Sequence, residues 1–226
     1  MTFSKKVLAF YKSLTLDQKL PTKVQVMNPY QDTTTFKVCQ QFYQKFYNDS
    51  NQRTLILGIN PGRLGGGITG VPFTDPEKLE RYCGIANNFT KKSELSADFI
   101  YRMIESYGGV EKFYGNYFIG AVCPLGFTKD GKNLNYYDQK DLQKAVYPFI
   151  VDTLTAQLTL GVNTKVCYCL GEGQNFKFLS SLNEKHKFFE KIIPLPHPRF
   201  IMQYRRKKLN YFIDLYQQKL KQSDCD

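Results

Sequence analysis

His197 stands between Pro196 and Pro198, an environment that suits a rigid, non-helical segment and a preorganised hydrogen-bond donor. A lone histidine is elsewhere more often structural. Asn60 precedes Pro61 at the end of a short apolar run, where its amide can serve a ligand or simply initiate a turn. Beyond it lies a loop with five glycines, among them Gly62 and Gly66, whose bare backbone allows a ligand to approach main-chain N–H groups. Asn133 follows Gly131 and carries both a carbonyl and an NH2, so it can pair with a donor–acceptor edge or sit in a loop. From Arg199 to Lys208 there are five basic residues and no acidic one, ending in Arg205-Arg206-Lys207-Lys208. Such a run binds phosphate or forms a solvated face. These residue types point to hydrogen-bonding and electrostatic chemistry.

The elements that must position them are legible in outline. Leu55, Ile56, Leu57 and Ile59 form a continuous apolar run, the pattern of a parallel strand buried on both faces. Further strands are expected at 117–122, 165–170 and 191–195. Helices are expected at 7–14, 36–47, 95–107, 138–160 (kinked or divided at Pro148), 172–185 and 203–221, the last opening with the basic quartet. The aromatic stripe Phe36, Phe42, Tyr43, Phe46 and Tyr47 reads as core. Strands alternating with helices imply an α/β protein, a three-layer α/β/α arrangement with a central four-stranded parallel sheet, in one domain over residues 1–226. Asn60, Asn133 and His197 would each follow a strand and converge at one edge of the sheet, where ligands bind in such folds.

Composition narrows the classes. Lysine and arginine number 31 against 20 aspartate and glutamate, a net charge of +11, and 15% of residues are aromatic. A basic, aromatic-rich surface favours polyanions and base stacking, although genome composition produces the same bias. No stretch approaches the length of a membrane span and no secretory leader is evident, so no membrane partner is expected. The six cysteines form no C-x-x-C pair and there are only two histidines, His186 and His197. Neither a metal nor any other cofactor is expected; the cysteines, Cys225 among them, are expected to be reduced, several of them packed, and His186 to be solvated.

Four stretches carry a resemblance. Ile59-Asn60-Pro61-Gly62 with Thr69-Gly70-Val71-Pro72-Phe73 resembles the first signature of the single-strand-selective monofunctional uracil-DNA glycosylases, a branch of the uracil-DNA glycosylase superfamily. Cys123-Pro124-Leu125 with Gly131-Lys132-Asn133-Leu134 resembles the base-reading segment, and Leu195-Pro196-His197-Pro198-Arg199 the second signature. Val26-Met27-Asn28-Pro29-Tyr30 matches the N-terminal region. The order and spacing agree from about residue 26 to 208. Two departures mark a divergent, bacterial subfamily: the second signature is shortened after His197, and Gly66 stands where better-known members carry a bulkier residue.

The resemblance implies a monofunctional glycosylase that flips uracil out of DNA and hydrolyses its N-glycosidic bond, leaving an abasic site for base excision repair. It implies that Asn60 positions the attacking water and His197 donates to the uracil oxygen that becomes anionic. Asn133 would read the N3–H and O4 edge, Phe73 would stack on the base, and backbone around Gly62 and Gly66 would line the pocket. The expected partner is uracil-containing DNA, single- or double-stranded, met in the bacterial cytoplasm at the nucleoid, or in the nucleus of a eukaryote; a monomer is expected. Arg199, Arg205, Arg206, Lys207 and Lys208 would contact phosphates, and Phe200, Ile201 and Met202 would include the wedge that fills the vacated stack. One alternative is a non-catalytic nucleic-acid-binding module using the basic final helix. Another is a nucleotide-dependent enzyme, because Gly65 to Gly70 formally satisfies G-x-G-x-x-G, but Pro72 stands where the required helix should begin.

Overall fold

The computed structural model describes residues 1–221. Along the chain run α1 (Phe3–Lys12), β1 (Val24–Met27), α2 (Thr33–Phe46), β2 (Arg53–Gly58), and two short helices, α3 (Gly66–Thr69) and α4 (Pro76–Arg81). Next come α5 (Leu95–Tyr107), α6 (Val110–Asn116), β3 (Tyr117–Ala121), β4 (Gly126–Lys129) and β5 (Lys132–Leu134). The chain continues through α7 (Lys140–Leu158), β6 (Val162–Leu170), α8 (Gln174–His186), β7 (Lys191–Leu195), α9 (Pro198–Tyr204) and α10 (Leu209–Lys221). Single 3-10 turns occupy Pro29–Gln31 and Arg206–Lys208.

The central sheet has four parallel strands in the order β3-β2-β6-β7. Every residue of β2 and β3 is buried, so helices cover both faces and the expected α/β/α layering is the observed one. That is why β2 needs an unbroken apolar run: neither face meets water. At its carboxyl end Leu57 pairs with Gly120 on one side and Cys169 on the other. The loops after β2, β6 and β7 therefore leave the sheet side by side.

Arg53 opens β2 and is 1% exposed. A buried guanidinium is tolerable only if every N–H finds an acceptor. Nε donates to Tyr114 O at 2.7 Å, and the two terminal nitrogens reach Asp49 Oδ1 and Oδ2 at 2.8 Å each, Asn51 O at 3.0 Å and Phe46 O at 3.3 Å. The Phe3 and Tyr47 rings lie 4.8 and 4.7 Å from its central carbon. One side chain thus ties α1, the end of α2 and α6 to the start of the strand that carries the site.

Two sequence expectations are corrected, the place of Asn133 and of the basic quartet, and two are refined. A second, antiparallel sheet in the order β1-β4-β5 joins the parallel one. Its hairpin turns at Asp130-Gly131, both with positive φ (49° and 71°), a primed turn whose Asp-Gly signal is present in the sequence. Asn133 consequently lies within β5 rather than after a strand. Helix α7 runs undivided through Pro148, because its buried face (Leu142, Val146, Phe149, Ile150) continues across the proline. The basic quartet does not begin the last helix: α9 ends at Tyr204, Arg205 leaves helical geometry (φ −131°, ψ 17°), and the 3-10 turn follows. Adjacent like charges gain nothing from helical stacking of neighbours three and four apart.

The buried cysteines Cys39, Cys83, Cys123, Cys167 and Cys169 are free thiols, and burial pushes all of them up in pKa, so they pack as apolar groups. Cys225 lies outside the described residues. His186 is not simply solvated: its ring stacks on Phe188 and its Nε2 shares a hydrogen bond with Tyr147 Oη at 3.3 Å. No described helix is long and apolar enough to cross a membrane.

Candidate active site

A cleft of about 510 Å³ opens at the carboxyl ends of β2, β6 and β7. Asn60, Gly62, Phe73, Asn133, His197 and Arg199, drawn from distant parts of the chain, all line it. Behind it a recess of about 40 Å³ is bounded by Gly58, Gly66, Pro124 and Tyr30. Asn60, Gly62, Phe73 and Glu94 border both spaces. Gly66, in α3, borders only the recess.

The Asn60 amide is oriented by three backbone groups. Oδ1 accepts from the Tyr136 N–H at 3.1 Å, while Nδ2 donates to Leu134 O at 3.3 Å and Pro61 O at 3.4 Å. A backbone N–H can only donate and a carbonyl only accept, so the amide cannot be flipped. The amide so oriented belongs to a residue that lines the cleft. Tyr136 is itself held by Asn175, whose Oδ1 accepts from the phenol at 2.8 Å.

His197 keeps the expected non-helical, extended backbone (φ −63°, ψ 132°) and serves as the N-cap of α9, with Pro198 as the favourable first helical residue. Its Nδ1 accepts from the Arg199 N–H at 3.1 Å. An imidazole nitrogen that accepts carries no proton, so the neutral ring bears its hydrogen on Nε2. Burial, and secondarily the charge of Arg199, lowers the pKa to about 4. A neutral ring with a fixed Nε2–H is a hydrogen-bond donor held ready without charge.

Phe73 has a positive φ of 53°, a conformation that costs energy for a bulky residue. Its ring lies directly on Gly58, where a Cβ would come within 2.8 Å of Phe73 Cε2. Glycine at the end of β2 therefore lets an aromatic floor lie against the strand. The ring centroid is 6.1 Å from that of His197. Asn133 is exposed at the lip, its Oδ1 accepting from the Arg63 N–H at 3.1 Å.

Beyond His197 the placements divide. Arg199, Phe200 and Tyr204 line the rim of the cleft. Phe200 is 42% and Tyr204 61% exposed, and their rings lie 5.8 Å apart. Ile201 and Met202, expected to help form a wedge, are instead 0% and 4% exposed. They occupy the inner face of α9, which packs on α5, so neither can enter a base stack. Arg205 to Lys208 border a separate shallow groove with Tyr211 and Phe212, and the Arg205 guanidinium lies 5.3 Å from the Phe200 ring.

Sequence reasoning missed Glu94 and Tyr204. Tyr204 was findable as the residue four positions after Phe200 on a helix. Glu94 stands in the irregular stretch before α5, where nothing in the local pattern marks it. Among the described residues, no group of three His, Cys, Asp or Glu side chains could hold a metal ion.

A parallel sheet thus carries an amide, a neutral imidazole, an aromatic ring and a basic rim around one cleft at its carboxyl edge, the arrangement of a hydrolase site. The family model of the uracil DNA glycosylase superfamily matches residues 44–221, and the chain belongs to that superfamily. It is a uracil-DNA glycosylase, a hydrolase of DNA repair. A crystal structure of wild-type SMUG2 from Pedobacter heparinus is similar over the full length of both chains, with 46% identity and a TM-score of 0.98. The resemblance to the single-strand-selective monofunctional branch is thereby borne out.

Proposed function

We propose that this glycosylase removes uracil from DNA by a monofunctional, water-dependent reaction in which Asn60 and His197 carry the chemistry. Uracil, turned out of the stack, lies on Phe73 with its N3–H and O4 edge toward the Asn133 amide. Water, accepted at the free lone pair of Asn60 Oδ1, adds its oxygen to C1′ as the C1′–N1 bond breaks. The bonding electrons leave with the base, and the proton lost by the water passes to solvent or to the departing base. Negative charge gathers on the uracil O2, and the His197 Nε2–H donates to it. The observation that carries this reading is the Arg199 N–H on His197 Nδ1, which leaves Nε2–H as the donor.

Among the described residues no lysine lines the cleft or the recess, which supports a monofunctional reaction without an imine intermediate. Both sheets contribute to one cleft, which supports reading the chain as a single domain; a monomer is proposed with it. Phe200, joined by Tyr204, is assigned to the vacated stack, and Arg199 with Arg205 to Lys208 to phosphates.

The test is incubation with a labelled single-stranded oligonucleotide holding one uracil, in EDTA, followed by hot alkali. Strand scission is expected, falling by about 100- to 1000-fold in Asn60→Ala and in His197→Ala with DNA binding retained. Scission that survives both substitutions would overturn the assignment, and an enzyme–DNA adduct trapped by borohydride would overturn the monofunctional reading.

A further inference from the structure

One carboxyl group in the cleft has no part in the scheme above. Glu94 immediately precedes α5, and its backbone N–H donates to Asp75 Oδ2 at 2.9 Å, fixing where its side chain begins. Oε2 is sealed from solvent and has no hydrogen-bond partner among the described residues. It lies against Gly65, leaving no space there for a Cβ. Oε1 is 3.4 Å from the point a Cβ on Gly62 would occupy, and Asn133 Nδ2 is 3.5 Å from the same point. Two polar atoms from separate elements thus converge on the bare Cα of Gly62, where cleft and recess meet.

The surroundings decide the state of this carboxyl. At the N-cap of α4, Asp75 faces it, and Lys78 is already paired with Asp98 Oδ1 at 2.6 Å and Asp75 Oδ2 at 3.5 Å. Asp98 approaches from α5 and opposes ionisation, Arg199 from α9 favours it without forming an ion pair, His197 is neutral, and Arg63 in the glycine loop is exposed. Burial first, and then Asp75, raise the Glu94 pKa to about 7. An ionised carboxylate here would oppose departure of an anionic base, whereas a neutral acid can donate to it.

We propose that Glu94 is a substrate-contacting residue that, as a neutral carboxylic acid, donates a hydrogen bond from Oε1, the oxygen beside Gly62, to the extruded base next to the edge facing Asn133. This rests on the proposed reaction, because it needs a base seated between Phe73 and Gly62. Loss of the Glu94 proton removes the donor and places a negative charge next to the leaving group. The group therefore sets the pH range over which release occurs.

The experiment is the single-turnover rate on the uracil oligonucleotide from pH 5 to pH 9, for wild type, Glu94→Gln and Glu94→Ala. The wild-type rate is expected to fall by about tenfold per pH unit above about pH 7. Glu94→Gln, which donates but cannot ionise, is expected to stay within about fivefold of wild type at pH 6 and to lose the alkaline fall; Glu94→Ala is expected to be at least about tenfold slower at pH 6. A wild-type rate that rises through pH 7, a Glu94→Gln variant inactive throughout, or an alkaline fall that survives in Glu94→Gln would each overturn the proposal. Infrared difference spectroscopy supplies an arm that needs only the wild-type protein: free uracil at pH 6 is expected to shift a carboxylic-acid carbonyl band. If wild type leaves uracil DNA intact at every pH, the reaction reading fails, and absence of that band shift is what would overturn the Glu94 contact itself.

Discussion

The backbone N–H of Arg199 donates to His197 Nδ1 at 3.1 Å, and this hydrogen bond sets the proton inventory of the imidazole. Protonating Nδ1 would turn two N–H groups on each other, which agrees with a pKa lowered by burial and by Arg199 to about 4. The acid limb of the single-turnover rate is therefore expected near pH 4 rather than near the usual histidine value of about 6.5. The sign for stability follows from linkage. Below about pH 6.5 the unfolded chain binds a proton that the folded chain refuses until about pH 4, so His197 makes stability fall as pH drops across that window. Urea unfolding at pH 7 and pH 4.5 is expected to show a smaller difference in His197→Gln than in wild type.

Gly58 and Phe73 form a matched pair, the strand end and the ring that covers it. In Gly58→Ala the new Cβ would stand 2.8 Å from Phe73 Cε2, and the ring has to move. Stability is expected to fall by about 1–3 kcal/mol from overpacking. Activity on uracil is expected to fall about tenfold or more, because the floor under the base tilts. Single-turnover kinetics beside thermal unfolding separates the two effects; wild-type activity in a folded variant would show that the ring position is unimportant.

Phe200 and Met202 lie two residues apart with opposite environments. Met202→Ala empties a packed site between α9 and α5 and is expected to cost about 2–5 kcal/mol of stability. Phe200→Ala removes a side chain from the rim, so the unfolding midpoint should stay unchanged while base extrusion, followed by 2-aminopurine fluorescence opposite the lesion, declines. Equal extrusion in Phe200→Ala and wild type would leave Tyr204 as the remaining candidate for the wedge.

The 3-10 turn Arg206–Lys208 is exposed and borders a shallow groove beside the aromatic rim. A cation seated on a phosphate displaces a counterion, so neutralising it makes the dependence of log K on log salt shallower, by about 0.9 on duplex DNA and about 0.7 on single strands. Arg206→Gln with Lys208→Gln is expected to weaken binding to uracil-containing and uracil-free DNA alike. An unchanged slope would mark the run as a solvated face.

Much of this protein was legible without coordinates because the signals are local. The apolar run from Leu55 to Leu57 has the pattern of a strand covered on both sides, and a glycine-rich loop directly after it marks the ligand edge. Asn60, His197 and Asn133 stood out by type and by neighbours and Phe73 through the family resemblance, and the fold brings all four to one cleft. Helix α9 shows where local reading stops: Phe200, Ile201 and Met202 look equally suited to a wedge, but only packing on α5 decides that two of them face inward. The Asn60 amide is oriented by Tyr136, 76 residues away, a pairing that no periodicity encodes. Glu94 is the clearest case. A glutamate in an irregular, polar stretch reads as solvent-exposed, and only the closure of the Gly62–Gly65 loop over it removes water from its carboxyl. Sequence alone determined the strands, the loop and the chemical types at the sheet edge, because those follow from neighbouring residues. Proton positions, side-chain orientations and the buried acid were decided by tertiary structure, because each depends on groups that meet only after the chain has folded.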